Sequence, residues 1–374
     1  MSPTISQRLL QFPKRVSKRP ITSALFHSGY YGSRLRRAMA NRAIILAYHR
    51  VGGSVGLSPG EWSTGFEHGI SLARFESHMR FIREALSPIP LRELAERISQ
   101  NKPLPPRAIV VTFDDGYRDN FLHAYPILKQ YDIPATIFVT TGFVDSNQKF
   151  WWDQVFDMLR GTHKTTLDLG ALKAGTASTF PLGTSRQKTR VSEILIEWMR
   201  SLPPARLPEI LSFLRSSLGI PGSEPAGSKL MLTWKQVQEM SQHGIAIEAH
   251  THSHRNLALL TESEVADEFR LSKNAIEKQI GRTIDGLAYP WGLPGTYTDG
   301  VTRIAQQLGF RYACVIRPGH IGPGADLFTL KRTAVGNAPL PILVRDCVKI
   351  YTAARDQGDE GAAHSSAGAA RRKR

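Results

Sequence analysis

Short apolar runs rich in β-branched residues recur along the chain and alternate with amphipathic stretches. Most of these runs are apolar on both faces, as parallel strands covered by helices are. The seven runs that predict strands are Ala43–His49, Ala108–Phe113, Pro134–Thr140, Ile245–Ala249, Ile284–Tyr289, Arg311–Ile316 and Leu327–Arg332. The alternation predicts an α/β fold and favours a (β/α) barrel, with an open doubly wound sheet as the alternative.

Helical patterns fill the intervals between these runs. Apolar residues fall on one helical face between Leu72 and Leu86. Thr233 and Thr261 each stand three residues before a Gln or a Glu, which is the capping box that opens a helix. Both features place helices between the predicted strands, as a barrel requires.

The interval between Thr140 and Ile245 breaks this rhythm. It is roughly a hundred residues long, which is more than a single crossover needs. It contains helical patches and a stretch rich in Gly, Ser, Thr and Pro from Gly170 to Ser185. We expect a largely helical insertion at residues 145–229 that covers one end of the barrel, and not a second domain.

Charge divides the chain further. The 374 residues include 48 Lys+Arg and 32 Asp+Glu, a net charge of +16. Ten basic residues lie among the first sixty, which hold no acid, and four lie in the last fourteen, so residues 61–360 carry only +2. We expect a basic segment at 1–42, a barrel at 43–350 and a disordered basic tail at 356–374. Because the body is nearly neutral and has no zinc-finger spacing, specific nucleic-acid binding is not expected.

The remaining composition bears on the compartment. Cys314 and Cys347 form no CxxC pair, which favours buried thiols in a reducing compartment. The N-terminus lacks the apolar core of a signal peptide, and no uncharged apolar stretch reaches 18 residues. These features predict a cytoplasmic protein with no transmembrane helix, and the basic N-terminus suggests peripheral contact with anionic membrane.

Two carboxylates follow the second predicted strand directly. Asp114 and Asp115 precede Gly116 at the strand's carboxyl end, where α/β folds place their active sites. Their side chains point in different directions, so one can bind a metal while the other transfers protons. An Asp-Asp-Gly turn that caps the next helix is the alternative.

Three histidines follow the fourth predicted strand. His250, His252 and His254 lie within five residues. Two imidazoles four residues apart converge on one metal when the backbone between them turns, and with one carboxylate they form the open site of a hydrolytic Zn²⁺ centre. A solvent-facing histidine-rich loop is the alternative.

Aromatic residues near the other strand ends are candidates for sugar binding. The candidate substrate-binding residues are Tyr289, Pro290, Trp291 and Trp152. Their rings offer flat surfaces for a sugar, although a packed turn and buried indoles explain them equally well. A fourth motif, Tyr48–Val51, ends the first predicted strand at the same edge.

Together these motifs resemble a known family. Thr112–Gly116 (TFDDG), His250–His254 (HTHSH) and Tyr289–Gly292 (YPWG), in that order, resemble the three leading motifs of the NodB-homology polysaccharide deacetylases, the fourth carbohydrate esterase family. Tyr48–Val51 and Trp151–Asp153 are similar to a subgroup of that family. The first two motifs together are specific.

The resemblance implies a distorted (β/α)7 barrel that uses a divalent metal, expected to be zinc, to remove N-acetyl groups from amino sugars of a polysaccharide or oligosaccharide precursor. By position, Asp115, His250 and His254 are implied as the metal ligands and Asp114 as the general base. The N-acetylated glycan is the implied partner of the site.

The chain departs from the family pattern at three places. Ala288 stands where the family often has an arginine that orients the catalytic aspartate, and Glu248 stands at a position that is often small. The late Leu-x-His motif, whose histidine protonates the leaving amine, has no clear match. We take His49 as the hypothetical general acid and His320 as the weaker candidate.

Two alternatives for the function stay open. His250-x-His252 matches the HxH motif of metal-dependent phosphoesterases and amidohydrolases, although that motif normally lies on an early strand. The altered position at Ala288 and the missing acid also suit a catalytically degenerate barrel that binds glycans without turnover. Loss of metal on His252→Ala but not on His254→Ala would favour the HxH enzyme.

Overall fold

A computed structural model describes residues 19–37, 41–52, 69–172, 179–220 and 230–352. The predicted tail at 356–374, half of the predicted basic segment at 1–42 and parts of the predicted insertion lie outside these residues. Among the described residues, no helix is long and apolar enough to cross a membrane.

Seven parallel strands close into a barrel. They pair in the order β1, β10, β9, β8, β7, β4, β3, and β3 pairs back with β1. Their bounds are β1 Ala43–Tyr48, β3 Ala108–Phe113, β4 Ala135–Val139, β7 Ala246–Ala249, β8 Gly286–Ala288, β9 Tyr312–Ile316 and β10 Leu330–Ala334. The short β2, Ser87–Pro88, pairs with the start of β3. The β1–β3 pairing confirms the distorted (β/α)7 barrel and excludes the open sheet.

The last predicted strand begins three residues later than expected. The last run was predicted at Leu327–Arg332, whereas β10 begins at Leu330. The carboxylate of Asp326 accepts hydrogen bonds from the Phe328 N–H and the Thr329 hydroxyl. This Asx turn occupies the residues before Leu330 and delays the strand.

Helices cover the barrel between its strands. They are α1 Arg19–His27, α2 Tyr30–Arg37, α3 Leu72–Ala85, α4 Leu91–Ser99, α5 Tyr125–Gln130, α6 Trp151–Gly161, α7 Ser185–Arg200, α8 Leu207–Ser217, α9 Trp234–Gln242, α10 Glu262–Ile280, α11 Asp299–Gln307 and α12 Leu340–Thr352. Both predicted capping boxes, at Thr233 and Thr261, are present, and a third begins α7 at Thr184. The helices α1 and α2 pack against α12.

Alternate residues of strand β1 serve two separate cores. On β1, Ile44 and Leu46 belong to the large core under the helices, whereas Ala43 and Ile45 belong to the core inside the barrel. Leu330 of β10 also lies in the inner core. Because side chains two residues apart share a face, the residue two positions after Leu330 also points inward, toward the carboxyl end of the barrel.

The interval after β4 holds the predicted helical insertion. It contains α6, α7, α8 and the antiparallel pair β5 Thr166–Asp168 and β6 Thr179–Pro181. Its apolar residues form a third core cluster, distinct from the two cores of the barrel. The insertion therefore packs largely on itself while its first helix begins beside the barrel's carboxyl end.

Candidate metal and catalytic site

Three residues from two strand ends meet at the carboxyl end of the barrel. Nε2 of His250 lies 3.5 Å, and Nε2 of His254 3.3 Å, from the same carboxylate oxygen of Asp115. The three side chains are buried, and their ligand atoms all lie within 4.8 Å of one another. One carboxylate and two imidazoles fit a divalent cation and leave coordination positions open. No other group of this kind occurs among the residues that the structure describes.

The backbone at this edge is held in an uncommon conformation. Asp115, Thr251, His254 and Trp291 all have φ between 56° and 74°, in the left-handed region that non-glycine residues rarely adopt. These residues follow β3, β7 and β8 directly or within a few positions. Such strain persists only where the surroundings hold it, and it concentrates at functional sites.

A backbone carbonyl orients the first histidine. Nδ1 of His250 lies 2.7 Å from the carbonyl oxygen of Ala288 on β8. Nδ1 therefore carries the proton, which leaves the lone pair of Nε2 directed at Asp115 and free to bind a cation. Ala288 lacks the side chain expected at its position but still contributes to the site through its backbone.

The middle histidine of the motif turns away from this cluster. Nδ1 of His252 lies 3.0 Å from the Thr141 hydroxyl, and its backbone carbonyl accepts a hydrogen bond from the Gly142 N–H. His250 and His254, and not His250 and His252, therefore converge on the carboxylate. This arrangement does not support the HxH alternative.

The neighbouring carboxylate has a different partner. Asp114 forms a bidentate ion pair with Arg332, with Nη–Oδ distances of 2.6 and 2.7 Å. Arg332 is the inward residue two positions after Leu330 on β10, and it is fully buried. Its guanidinium also donates to the Thr112 hydroxyl at 3.1 Å. Arg332 therefore contacts Asp114 in the way expected of an arginine at position 288, where this chain has alanine. The motifs in the sequence did not identify it.

Electrostatics keep both aspartates ionised. Burial alone would raise the pKa of Asp114, but the charge of Arg332 and the nearby His250 hold it below the ordinary value. Burial would also raise the pKa of Asp115, but the adjacent imidazoles of His250 and His254 hold it well below the ordinary value. At neutral pH both aspartates are therefore ionised, and each carboxylate has its own partners.

The predicted general acid lies beside the predicted general base. Nε2 of His49 is 3.9 Å from an Asp114 carboxylate oxygen. Asn120 donates to the His49 carbonyl at 2.7 Å, and the adjacent Arg50 pairs with Asp119 at 2.9 Å. The segment after β3 thus anchors the segment after β1.

The alternative acid His320 lies elsewhere. Its neighbour Ile321 exchanges two backbone hydrogen bonds with Ala43, the first residue of β1. Asp114 lies beyond the opposite end of β1, where its N–H bonds to the carbonyl of Tyr48, the last residue of that strand. The geometry therefore favours His49 over His320.

Aromatic side chains surround His254. The rings of Trp152 and Trp291 lie 4.7 and 5.3 Å from the imidazole between centroids. Trp152 is buried and donates its indole N–H to the Tyr117 hydroxyl, whereas Trp291 is half-buried. Of the other two candidate substrate-binding residues, Pro290 is buried, and Tyr289 is buried with its ring stacked on Tyr297.

A groove borders the candidate metal site. It runs between the insertion and the loops after β7 and β8, with Trp151 and Arg200 on one side and His254, Asn256 and Trp291 on the other. The Arg200 guanidinium lies 5.5 Å from the centre of the Trp291 ring. The insertion therefore forms one wall of the groove.

Comparison with known proteins identifies relatives of the chain. A family model described as polysaccharide deacetylase matches residues 101–167 and 177–313. The protein YxkH of Bacillus subtilis (strain 168) is 25% identical over 299 residues, which cover 78% of this chain and 70% of that protein. The poly-β-1,6-N-acetyl-D-glucosamine N-deacetylase of Staphylococcus aureus (strain MSSA476) is 34% identical over 110 residues, which cover 28% of this chain and only 38% of that enzyme.

A solved structure has the same fold. The deacetylase PplD of Streptococcus pyogenes, solved in complex with acetate, superposes with a TM-score of 0.53 over 83% of this chain and 99% of that one. Its sequence is 21% identical, so the likeness concerns the fold.

Proposed function

The chain belongs to the polysaccharide deacetylase family, hydrolases that act on a non-peptide carbon–nitrogen bond. From this premise we propose that it is a metal-dependent enzyme that removes N-acetyl groups from amino sugars of a polysaccharide or oligosaccharide precursor. One observation carries the proposal. Two adjacent carboxylates have different partners, with Asp115 facing two histidines and Asp114 facing a buried arginine and His49.

Asp115, His250 and His254 would hold the cation, and the mixed nitrogen and oxygen donor set suits zinc. Such an ion acts as a Lewis acid toward the acetamide carbonyl and increases the acidity of water. The tautomer of His250 set by the Ala288 carbonyl presents the correct nitrogen to the ion.

Asp114 would accept the proton of the attacking water. The pair with Arg332 keeps it ionised and fixes its orientation, because both oxygens face the guanidinium fork. The water oxygen bonds to the acetyl carbon while the amide carbon–nitrogen bond breaks. His49, beside Asp114, would donate a proton to the departing nitrogen, so the products are acetate and a free sugar amine.

The substrate class follows from the groove and from the relatives. Trp151 and Trp291 present half-buried indoles to the groove, and flat aromatic surfaces of this kind suit a sugar ring. The Staphylococcus aureus relative is named for a β-1,6-linked N-acetylglucosamine polymer. We therefore propose N-acetylglucosamine oligosaccharides as substrates.

Acetate release tests the function. Wild-type protein should release acetate from N-acetylglucosamine oligomers, lose this activity with a chelator and recover it with Zn²⁺. Release that a chelator leaves unchanged would contradict metal dependence. No release from β-1,6- or β-1,4-linked oligomers under any metal condition would favour the glycan-binding barrel without turnover.

The role of His49 has its own test. In His49→Ala, we expect acetate release to fall by about a hundredfold or more, with the alkaline limb of the kcat–pH profile lost, because the departing amine lacks its acid. Metal binding should be unchanged. A rate within a few-fold of wild type would remove His49 from the mechanism.

Contact with anionic membrane is a further part of the proposal. Residues 1–60 hold no acid, helices α1 and α2 expose Ile21 and Tyr30, and the Arg34 guanidinium lies over the Tyr30 ring. Apolar and cationic side chains together suit an anionic lipid surface. The full chain should sediment with vesicles that contain phosphatidylglycerol but not with neutral ones, and Ile21→Glu should weaken this. The cytoplasmic location stays a prediction that cell fractionation would test.

A further inference from the structure

A single buried carboxylate holds the loop that carries both metal-binding histidines. Glu268 lies on α10 and is 3% exposed. One of its oxygens accepts hydrogen bonds from the backbone N–H groups of His252 and Ser253, at 2.9 and 2.7 Å. The other accepts from the Ser253 hydroxyl and, at 3.0 Å, from Nε of Arg255. Four donors thus converge on one side chain.

Only a carboxylate can satisfy this arrangement in full. Three of the four groups, the two backbone N–H groups and the Arg255 guanidinium, can only donate. A glutamine at position 268 has the same shape but replaces one oxygen with an NH₂ group. That NH₂ would face either the two backbone donors or the guanidinium, and a buried donor opposite another donor is costly.

The other side of the loop is fixed by the segment that follows β4. The His250 N–H bonds to the Val139 carbonyl, and the carbonyls of Thr251 and His252 accept from Thr141 and Gly142. The last two contacts constrain carbonyls of the loop, whereas Glu268 constrains the N–H groups of His252 and Ser253. The segment after β4 and Glu268 therefore satisfy different buried polar groups of the loop.

The loop needs such support because its conformation is strained. Thr251 has φ of 65° and His254 has φ of 56°. Each left-handed non-glycine residue costs about 1–2 kcal/mol relative to an ordinary conformation. The two N–H groups that bond to Glu268 lie between these residues, so the carboxylate holds the turn that brings His254 back toward Asp115.

The ionisation of Glu268 agrees with this role. Burial would raise its pKa, but the hydrogen bonds from Ser253 and the charge of Arg255 hold it below the ordinary value. It therefore remains an acceptor at neutral pH.

We propose that Glu268 is a positioning residue, which sets the distance between the imidazoles of His250 and His254 and thereby the affinity of the site for a divalent cation. This inference rests on the proposed function, in which the site holds a catalytic cation, whereas its test measures metal binding. Replacing a residue that orients a metal ligand typically changes metal affinity by about 10- to 100-fold.

The test compares two buried glutamates in the full-length protein. Glu268→Gln removes at least one of the four matched acceptor contacts, whereas Glu248→Gln is the control. Glu248 is 5% exposed and also accepts two backbone N–H bonds, but from Asp285 and Gly286, away from the histidine loop. Zn²⁺ affinity is measured by competition with a chromophoric chelator, and thermal unfolding is followed for each variant.

We expect Glu268→Gln to weaken Zn²⁺ binding by about tenfold or more and Glu248→Gln to change it by less than about threefold. Equal affinities for Glu268→Gln and wild type, or an equal loss in both variants, would overturn the proposal. If Glu268→Gln does not fold, Ser253→Ala removes one donor and should weaken binding by about threefold, and an unchanged affinity there would overturn it.

Separate outcomes distinguish this inference from the function. Metal affinity that depends on Glu268 in a protein that releases no acetate would overturn the deacetylase function alone. A wild-type protein that releases acetate, paired with a Glu268→Gln variant of unchanged affinity, would overturn the positioning role alone. A wild-type protein that binds no Zn²⁺ would overturn both.

Discussion

Buried carboxylates occur at two levels of the barrel and differ in what surrounds them. At the carboxyl end, Asp114 and Asp115 meet a guanidinium and two imidazoles, and the pKa of each is below its ordinary value. Deeper in the barrel, beside the first residues of β8 and β9, Glu248 meets two backbone N–H groups and the Tyr312 hydroxyl, and burial raises its pKa to about 7. Similar burial therefore gives opposite shifts.

The difference shows which contacts keep a buried acid charged. Dipoles of N–H and hydroxyl groups satisfy the oxygens of Glu248 but do not offset the loss of water around its charge. A cation within hydrogen-bonding distance does so for Asp114. The two aspartates at the strand ends are therefore ionised at neutral pH, whereas the pKa of Glu248, deeper in the barrel, lies near neutrality.

The largest expected effect on stability follows replacement of Arg332, the cation that pairs with Asp114. Arg332→Met leaves Asp114 buried without its partner, which should lower the free energy of unfolding by about 3–5 kcal/mol. The pKa of Asp114 should rise, so acetate release should fall by about a hundredfold and its optimum should move to higher pH. Urea unfolding and a pH–rate profile measure both effects.

The double variant Asp114→Asn/Arg332→Met is the matched control for this change. It removes both charges, so we expect it to recover most of the stability and none of the activity. Recovery of neither, or an Arg332→Met variant as stable as wild type, would show that the ion pair does not govern this end of the barrel.

A smaller effect is expected lower in the barrel. Glu248 has an ordinary pKa of 4.5 and a pKa of about 7 in the folded protein. Between these values the folded state keeps a proton that the unfolded state has lost, so the free energy of unfolding falls as pH rises from 4.5 to 7. Glu248→Gln removes this term, and relative to it the wild type should lose about 2 kcal/mol from pH 5 to pH 7.

Urea titrations at several pH values measure this difference. Parallel stability curves for wild type and Glu248→Gln would contradict the contrast between the two levels, because they would mean that Glu248 is already ionised at pH 5.

The smallest expected effect concerns the wall of the groove. Trp291→Ala should raise KM for N-acetylglucosamine oligomers by about tenfold, because one stacking surface is lost, while kcat changes less. Tyr289→Phe is the matched control, since that ring is buried and its hydroxyl has no hydrogen-bond partner among the described residues. A KM that changes for Tyr289→Phe and not for Trp291→Ala would reverse this assignment.

The sequence predicted the barrel because its signals are local. The strand bounds agree within a few residues, and the capping boxes at Thr233 and Thr261 form as expected. The family resemblance implied the set Asp115, His250 and His254, and their common place after parallel strands explains why they cluster. Closure of the sheet depends on the pairing of β1 with β3, which no local pattern reveals.

The supporting residues could not be predicted in the same way. Arg332 and Asp114 are 218 positions apart, and a lone arginine in a strand gives no partner. One usable signal was its inward position, two residues after Leu330. Glu268 looked like an ordinary charged residue of a helix, because the donors that it accepts from belong to a loop whose conformation is not evident from sequence.

The division of roles between the two adjacent aspartates is the central claim, and one measurement tests it directly. Zn²⁺ content and acetate release are determined together for wild type, Asp114→Asn and Asp115→Asn. We predict that Asp114→Asn keeps its Zn²⁺ and loses about a thousandfold or more in acetate release, whereas Asp115→Asn loses both. Loss of Zn²⁺ from Asp114→Asn, or activity in it above about a tenth of wild type, would contradict the claim.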